Sequence, residues 1–164
     1  MTTEHLTPPH GGELCNLIVD EDRAEQLRAE SGGFPSITLN LRQICDLDLL
    51  MNGAFSPLEG FLGKEDYESV CDTMRLTSGV LWPLPITLDV TEAFADEISA
   101  GETIALRDPE GVLLATLEVS DIWTPDLMSE AERVFGTTDD THPAVHHLKS
   151  VSNPVYVGGT VRGV

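Results

Sequence analysis

Two β-rich runs joined by a short turn constrain this chain more than anything else in it. They are ETIALRD (102–108) and VLLATLEVSDIW (112–123), with Pro-Glu-Gly (109–111) between them. Stretches of Val, Ile, Leu and Thr suit a pleated, half-buried ribbon, and a Pro/Gly-containing connection of this length closes a hairpin. Glu102 to Trp123 is therefore expected at the centre of a mixed sheet. Shorter strand candidates are SITL (36–39), PITLDV (85–90) and the strand-like PVYVGG (154–159).

Helical segments fall between these runs. Asp20 is placed to cap a helix running to about Glu30, with Glu21 and Asp22 at its positive end and Ser31-Gly32-Gly33 as its stop. Asn40 and Gln43 have capping-box spacing, and Leu41, Ile44, Cys45, Leu47 and Leu50 follow as an apolar stripe. Lys64 to about Met74 carries Tyr67, Val70, Cys71 and Met74 on one face. Thr91 begins a short helix, another is expected near Asp126–Phe135, and Pro143 suits the first turn of a last one. No repeat, low-complexity segment or long linker interrupts the chain. At 164 residues it can bury ~70% of the surface its unfolded form exposes. The expectation is one α+β domain that needs no disulfide or metal staple.

Charge narrows the function. The formal net charge is −19, from 28 acidic and nine basic residues spread evenly over both halves, and only Lys64 and Lys149 are lysines. Nucleic acids are gripped through phosphates by clustered Lys and Arg, and no such cluster exists here. No apolar run approaches the ~18 residues a membrane span needs. The N-terminus lacks a basic segment followed by an apolar stretch, which argues against a signal peptide. Cys15, Cys45 and Cys71 are odd in number and widely spaced, as three small buried hydrophobes in a reducing compartment would be. A cytoplasmic location follows as an expectation.

Few motifs carry chemistry. The chain has neither a G-x-x-x-x-G-K-[ST] loop, nor a G-x-G-x-x-G turn, nor a G-x-S-x-G elbow. Gly53, Gly60 and Gly63 are not expected to follow a strand or abut a helix start as a phosphate cradle requires. In THPAVHHLK, His142 and His146 are four apart and could share a helix face with a metal, but no H-E-x-x-H pattern or third ligand accompanies them. They read instead as incidental histidines at an exposed helix N-terminus. His10, in PPHGG, could approach a ligand or a neighbouring domain, or could simply bond to the backbone of a turn. Arg42 could bind an anion, but its many acidic neighbours favour ion pairing. The stretch NGAFSPLEGFLGKEDYESV (52–70) reads as a rigid corner, with Pro57 fixing φ and Phe55, Leu58, Phe61 and Leu62 anchoring it by burial. No catalytic, cofactor-binding or metal-ligating residue is assigned.

Eight phrases in register give the chain a family likeness. They are PHGG (9–12), RQICDLDLL (42–50), NGAFSPLEGFL (52–62), PITLDV (85–90), IALRDPEG (104–111), EAERVFGT (130–137), HPAV (142–145) and YVGG (156–159). In this order they resemble the N-terminal, PUA-like domain of ATP sulfurylase (sulfate adenylyltransferase), with Ala54 and Ala144 where the family commonly has glycine. The resemblance implies a PUA-like α+β fold, a small mixed β-sheet or pseudo-barrel with peripheral helices, over residues 1–164. It implies that 160–164 begin a link towards a catalytic domain.

The family reaction joins sulfate to ATP, giving adenosine 5′-phosphosulfate and pyrophosphate. By resemblance, Mg-ATP belongs to the complete enzyme, and the reaction centre belongs to a second domain bearing Q-x-R-N-P-x-H-x-x-H and a later G-R-D segment. Neither motif occurs here. The implied partner is that catalytic domain, in cis or in trans, and a homo-oligomer is compatible with the resemblance. The alternatives are a stand-alone PUA-like binding or assembly module, and an RNA-binding module suggested by the fold alone, which the charge opposes.

Overall fold

A computed structural model describes residues 7–164. Residues 1–6, and with them part of the stretch read as lacking a leader, lie outside the described residues. The expected hairpin is the centre of the molecule. Strands β4 (Thr103–Arg107) and β5 (Leu113–Trp123) pair antiparallel from Thr103–Glu118 to Arg107–Leu113. Strand β6 (Val155–Gly163) lies along the other edge of β5, from Ala115–Gly163 to Trp123–Tyr156. Short strands complete the sheet. β1 (Ser36–Thr38) runs parallel to β4, while β2 (Gly60–Phe61) and β3 (Leu88–Val90) each pair antiparallel with β6. The order is β1-β4-β5-β6-β2, with β3 branching from β6. The outermost strands do not pair, so this is an open, six-stranded mixed sheet in an α+β fold rather than a closed barrel.

Among the described residues six α-helices accompany the sheet: α1 (Glu21–Glu30), α2 (Leu41–Met51), α3 (Lys64–Thr73), α4 (Glu92–Ala95), α5 (Leu127–Phe135) and α6 (Pro143–Ser150). Their starts are those the sequence indicates. Asp20 accepts from the Arg23 N–H at 2.9 Å. Asn40 and Gln43 form the reciprocal capping box, each accepting the other's backbone N–H at 3.0 Å. Thr91 and Asp126 cap α4 and α5 through their side chains.

Several expectations are corrected. β3 covers only the last three residues of PITLDV, Leu88–Val90, which are those that pair with Val155–Val157 of β6. β6 continues four residues past the strand-like PVYVGG, and residues 160–163 form the end of a strand held by β5. Met74 leaves the apolar face of α3. It terminates the helix in the left-handed region (φ +55°) and is 56% exposed. On α2 the buried face is Gln43, Leu47 and Leu50, whereas Leu41 and Cys45 face solvent. Of the three cysteines expected to be buried, only Cys71 is; Cys15 is half-buried.

One core fills the space between sheet and helices, with Leu47, Leu50, Phe61, Val70, Leu88, Leu106, Leu117 and Val157 among its members. A small satellite of Ala131, Val145 and Leu148 joins α5 to α6. No described helix is long and apolar enough to cross a membrane.

Candidate functional site

The corner after α2 is built for fit against its own chain. Gly53 has φ +82°, and a Cβ there would sit 2.8 Å from the Leu14 side chain and 3.0 Å from the Cys15 carbonyl. The Ser56 hydroxyl donates to the Gly53 carbonyl (2.6 Å) and accepts from the Cys15 N–H (2.9 Å), tying the turn to the N-terminal segment. A Cβ at Gly60 would lie only 2.0 Å from the Gly159 carbonyl, so this glycine admits the neighbouring strand rather than a substrate. Leu58, Phe61 and Leu62 are buried as expected, while Phe55 is half-buried with its edge towards Trp82. Contrary to expectation, Gly63 does stand at a helix start, as the N-cap of α3. Glu65 and Asp66 follow it in the first turn, and the open hollow of about 410 Å³ alongside is lined by Glu59 and Asp66. That is poor company for a phosphate.

The histidines divide. His142 is the N-cap of α6, stacked on Phe135 with ring centroids 5.4 Å apart. His146, one turn on, faces Asp140 with Nδ1 3.5 Å from Oδ1. Their rings therefore have different neighbours, and among the described residues no group of three or more His, Cys, Asp or Glu is placed to hold an ion. His10 is different. Its Nε2 lies 2.7 Å from the Leu81 carbonyl, and its ring rests 5.9 Å from that of Trp82. It thus ties the N-terminal loop to a segment seventy-one residues away.

Arg42 is paired, as its acidic surroundings suggest. Nη1 donates to Asp46 (2.7 Å) and Nη2 to Asp89 (2.5 Å). Asp89 is 2% exposed and also accepts from Gln43 Nε2, the Asn153 N–H and Asn153 Nδ2. Burial alone would raise the Asp89 carboxyl, but the Asn153 N–H, Arg42 and the two amides outweigh it and hold it below the ordinary carboxylate range. Asp46 goes the other way, because burial outweighs its one bond to Arg42.

Next to this pair lies a network with no sequence signal. Glu130, on α5, accepts from the hydroxyls of Tyr67 (2.9 Å) and Tyr156 (3.1 Å) and is 4% exposed. Burial raises its carboxyl despite both hydroxyls. Burial beside that carboxylate raises both tyrosines too, and burial lifts the neighbouring Cys71 thiol to about 11. A hollow of about 310 Å³ lies over the two networks, with Arg42, Glu130 and Tyr156 on its polar side and Ile86, Phe135 and Leu148 on its apolar side. The carboxylates outnumber the one guanidinium, which is itself engaged. The networks fasten α2, α3 and α5 to the sheet.

A second kind of surface surrounds His10. Phe55, Leu81, Trp82, Pro83, Leu84 and Ile86 line an apolar hollow of about 310 Å³ with it. His10 also borders an adjacent hollow over Pro8, Pro9, Leu14, Gly53 and Ala54. Leu14, Leu81 and Leu84 are exposed there. The chain therefore presents polar groups consumed by its own fold and an apolar face left open.

The model of the PUA-like domain family matches residues 7–164. This chain belongs to that family. As a PUA-like domain it is also similar, almost end to end, to sulfate adenylyltransferases. That of Eremothecium gossypii is 48% identical over 160 residues, covering 97% of this chain and 32% of the relative. That of Phaeosphaeria nodorum is 47% identical over 161 residues, covering 96% and 28%. That of Schizosaccharomyces pombe is 46% identical over 147 residues, covering 88% and 30%. Among solved structures, a hexameric APS kinase from Thiobacillus denitrificans superposes with a TM-score of 0.74 at 34% identity, over 96% of this PUA-like domain and 27% of that chain. The chain thus spans about a third or less of the length of these relatives.

Proposed function

We propose that this PUA-like domain is the N-terminal structural and docking domain of a sulfate adenylyltransferase, and that the reaction centre lies in the catalytic part, joined in cis or in trans. The observation that carries the reading is the 48% identity over 97% of this chain to an enzyme of which it covers 32%. The chemistry of this surface supports it. Joining sulfate to the α-phosphate of ATP brings two anions together, and the transition state calls for cations and donors aimed at phosphorus. Seven of the nine basic side chains pair or bond within this chain, Arg75 to the Gly79 carbonyl and Lys149 to the Thr138 carbonyl among them. Arg42 is held by Asp46 and Asp89, Arg133 by Asp72, Arg28 by Glu21 and Lys64 by Glu68. Arg107 donates to Ser31, Ser36 and the Gly111 carbonyl. Arg23 and Arg162 line a hollow of only about 90 Å³ together with Glu30 and Glu118. Mg-ATP and sulfate are, on this reading, substrates of the complete enzyme, and the chain by itself is inactive. Three free thiols suit a cytoplasmic setting for such an assembly.

A segment exchange tests the reading. This chain replaces the matching segment of the Eremothecium gossypii sulfate adenylyltransferase, and sulfate-dependent pyrophosphate release is measured beside the parent. Retained activity is expected. A folded exchange protein that is silent under conditions where the parent works would overturn the reading.

A further inference from the structure

Several stretches have no Asp, Glu, Lys or Arg, 31–41, 141–148 and 150–161 among them, and three others are 7–12, 53–58 and 76–88. The last three are distant in sequence and meet in space. His10 bonds to the Leu81 carbonyl, and the rings of His10 and Phe55 lie 5.9 and 5.8 Å from Trp82. Leu81 and Leu84 remain 49% and 46% exposed, and Leu14 63%. The two hollows that meet at His10 give this face relief. Charge depletion around aromatic anchors is the composition of an interface core, and a contiguous apolar patch of this kind marks a site of contact. Leu41 and Val112, also exposed, belong to neither hollow.

We infer that this face, formed by residues 7–14, 53–56 and 81–86, is where the catalytic part of a sulfate adenylyltransferase docks. The inference rests on the function proposed above and adds the surface. Three observations favour this occupant. Relatives that contain such a domain have two thirds or more of their length outside it, and some of that length must lie against it. Ile18, 53% exposed, is bridged to Gly163, and from Ile18 the chain leads back through Leu14 to the His10 hollow. A segment following Val164 would start at the margin of the face. Finally, exposed Glu13 and Glu59 directly follow 7–12 and 53–58, against one exposed cation, Arg75, ahead of 76–88. A catalytic part that gathers ATP and sulfate carries the cations to meet such an acidic rim.

The test uses the exchange protein and the intact 164-residue chain. Leu81→Asp with Leu84→Asp is compared with Leu41→Asp with Val112→Asp, placed at exposed sites elsewhere. Both pairs should shift the melting temperature of the isolated chain by less than about 2 °C, a small perturbation for its size. In the exchange protein the Leu81/Leu84 pair should lower it by more than about 5 °C or split one transition into two, with loss of activity, while the Leu41/Val112 pair leaves it intact. If the unsubstituted exchange protein is active and the Leu81/Leu84 pair changes neither its melting nor its activity, the face is wrong although the functional reading stands. An inactive unsubstituted exchange protein strikes at the functional reading itself. Self-association of the isolated chain, seen in sedimentation and abolished by the Leu81/Leu84 pair, would assign the face to a second copy and overturn the inference.

Discussion

Asp89 collects donors from three directions, and its carboxylate is the acceptor that joins them. Asp89→Ala leaves the Asn153 N–H and Nδ2 without their acceptor, frees half of the Arg42 fork, and leaves Gln43 Nε2 only the Asp89 carbonyl. Breaking a buried, hydrogen-bonded pair from one side costs on the order of 3 kcal/mol, to be read from urea denaturation against the parent. Phe61, 2% exposed, anchors the corner, and Phe61→Ala should cost ~3–5 kcal/mol, as other large aromatic truncations do.

The two buried carboxylates respond to pH with opposite signs. Asp89 titrates lower in the folded than in the unfolded chain. It stabilises above the ordinary aspartate value of ~3.9, and that contribution is lost as pH falls through its lowered folded value. Glu130 titrates higher in the folded chain. Between the ordinary glutamate value of ~4.3 and its raised one, the native state binds more protons, so stability falls as pH rises. Glu130→Gln should therefore gain melting temperature relative to the parent as pH rises through that window. A constant difference across the window would mean that Glu130 titrates normally. The pairing of Arg42 was legible from its acidic neighbours, Asp46 one turn away above all. That Asp89 would be the buried partner was not, because forty-seven residues separate them and only the fold of β3 against α2 joins them. The Tyr67–Glu130–Tyr156 network was hidden for the same reason.

Elements with local causes were legible, and elements with distant causes were not. The caps of α1, α2, α4 and α5 are side chains bonding to backbone two or three residues on, so the sequence contains the whole interaction. Asn40→Ala removes one half of a capping box and should destabilise by ~1 kcal/mol, measurable as a lower urea midpoint at unchanged slope. By contrast, β2 has two residues and exists because Gly60 and Phe61 meet Thr160 and Gly159. No periodicity can announce a strand that short. The extension of β6 through Gly163 follows in the same way from its long partner β5. Gly63 was missed as an N-cap because the start of α3 carries no side-chain cap.

At the scale of the molecule, the central hairpin and the helices around it indicate an α+β domain. The resemblance supplies the PUA-like topology, and openness of the sheet depends in part on an edge strand, β2, too short to read. The functional side was legible in an unusual way. The sequence contains no reaction-centre motif, while its uncharged segments contain the apolar face without revealing that they converge. His10 was read as either a backbone-bonded turn residue or a point of approach to a neighbouring domain. It bonds to the backbone of another segment and stands at the centre of the face proposed for docking. On the function proposed above, the chemistry of sulfate activation lies outside these 164 residues. Purified chain incubated with ATP, magnesium and sulfate tests it most directly, with pyrophosphate release as the readout. No sulfate-dependent release is expected. Release that depends on sulfate and stays with the chain through successive purification steps would contradict it, and would put the reaction centre inside this domain.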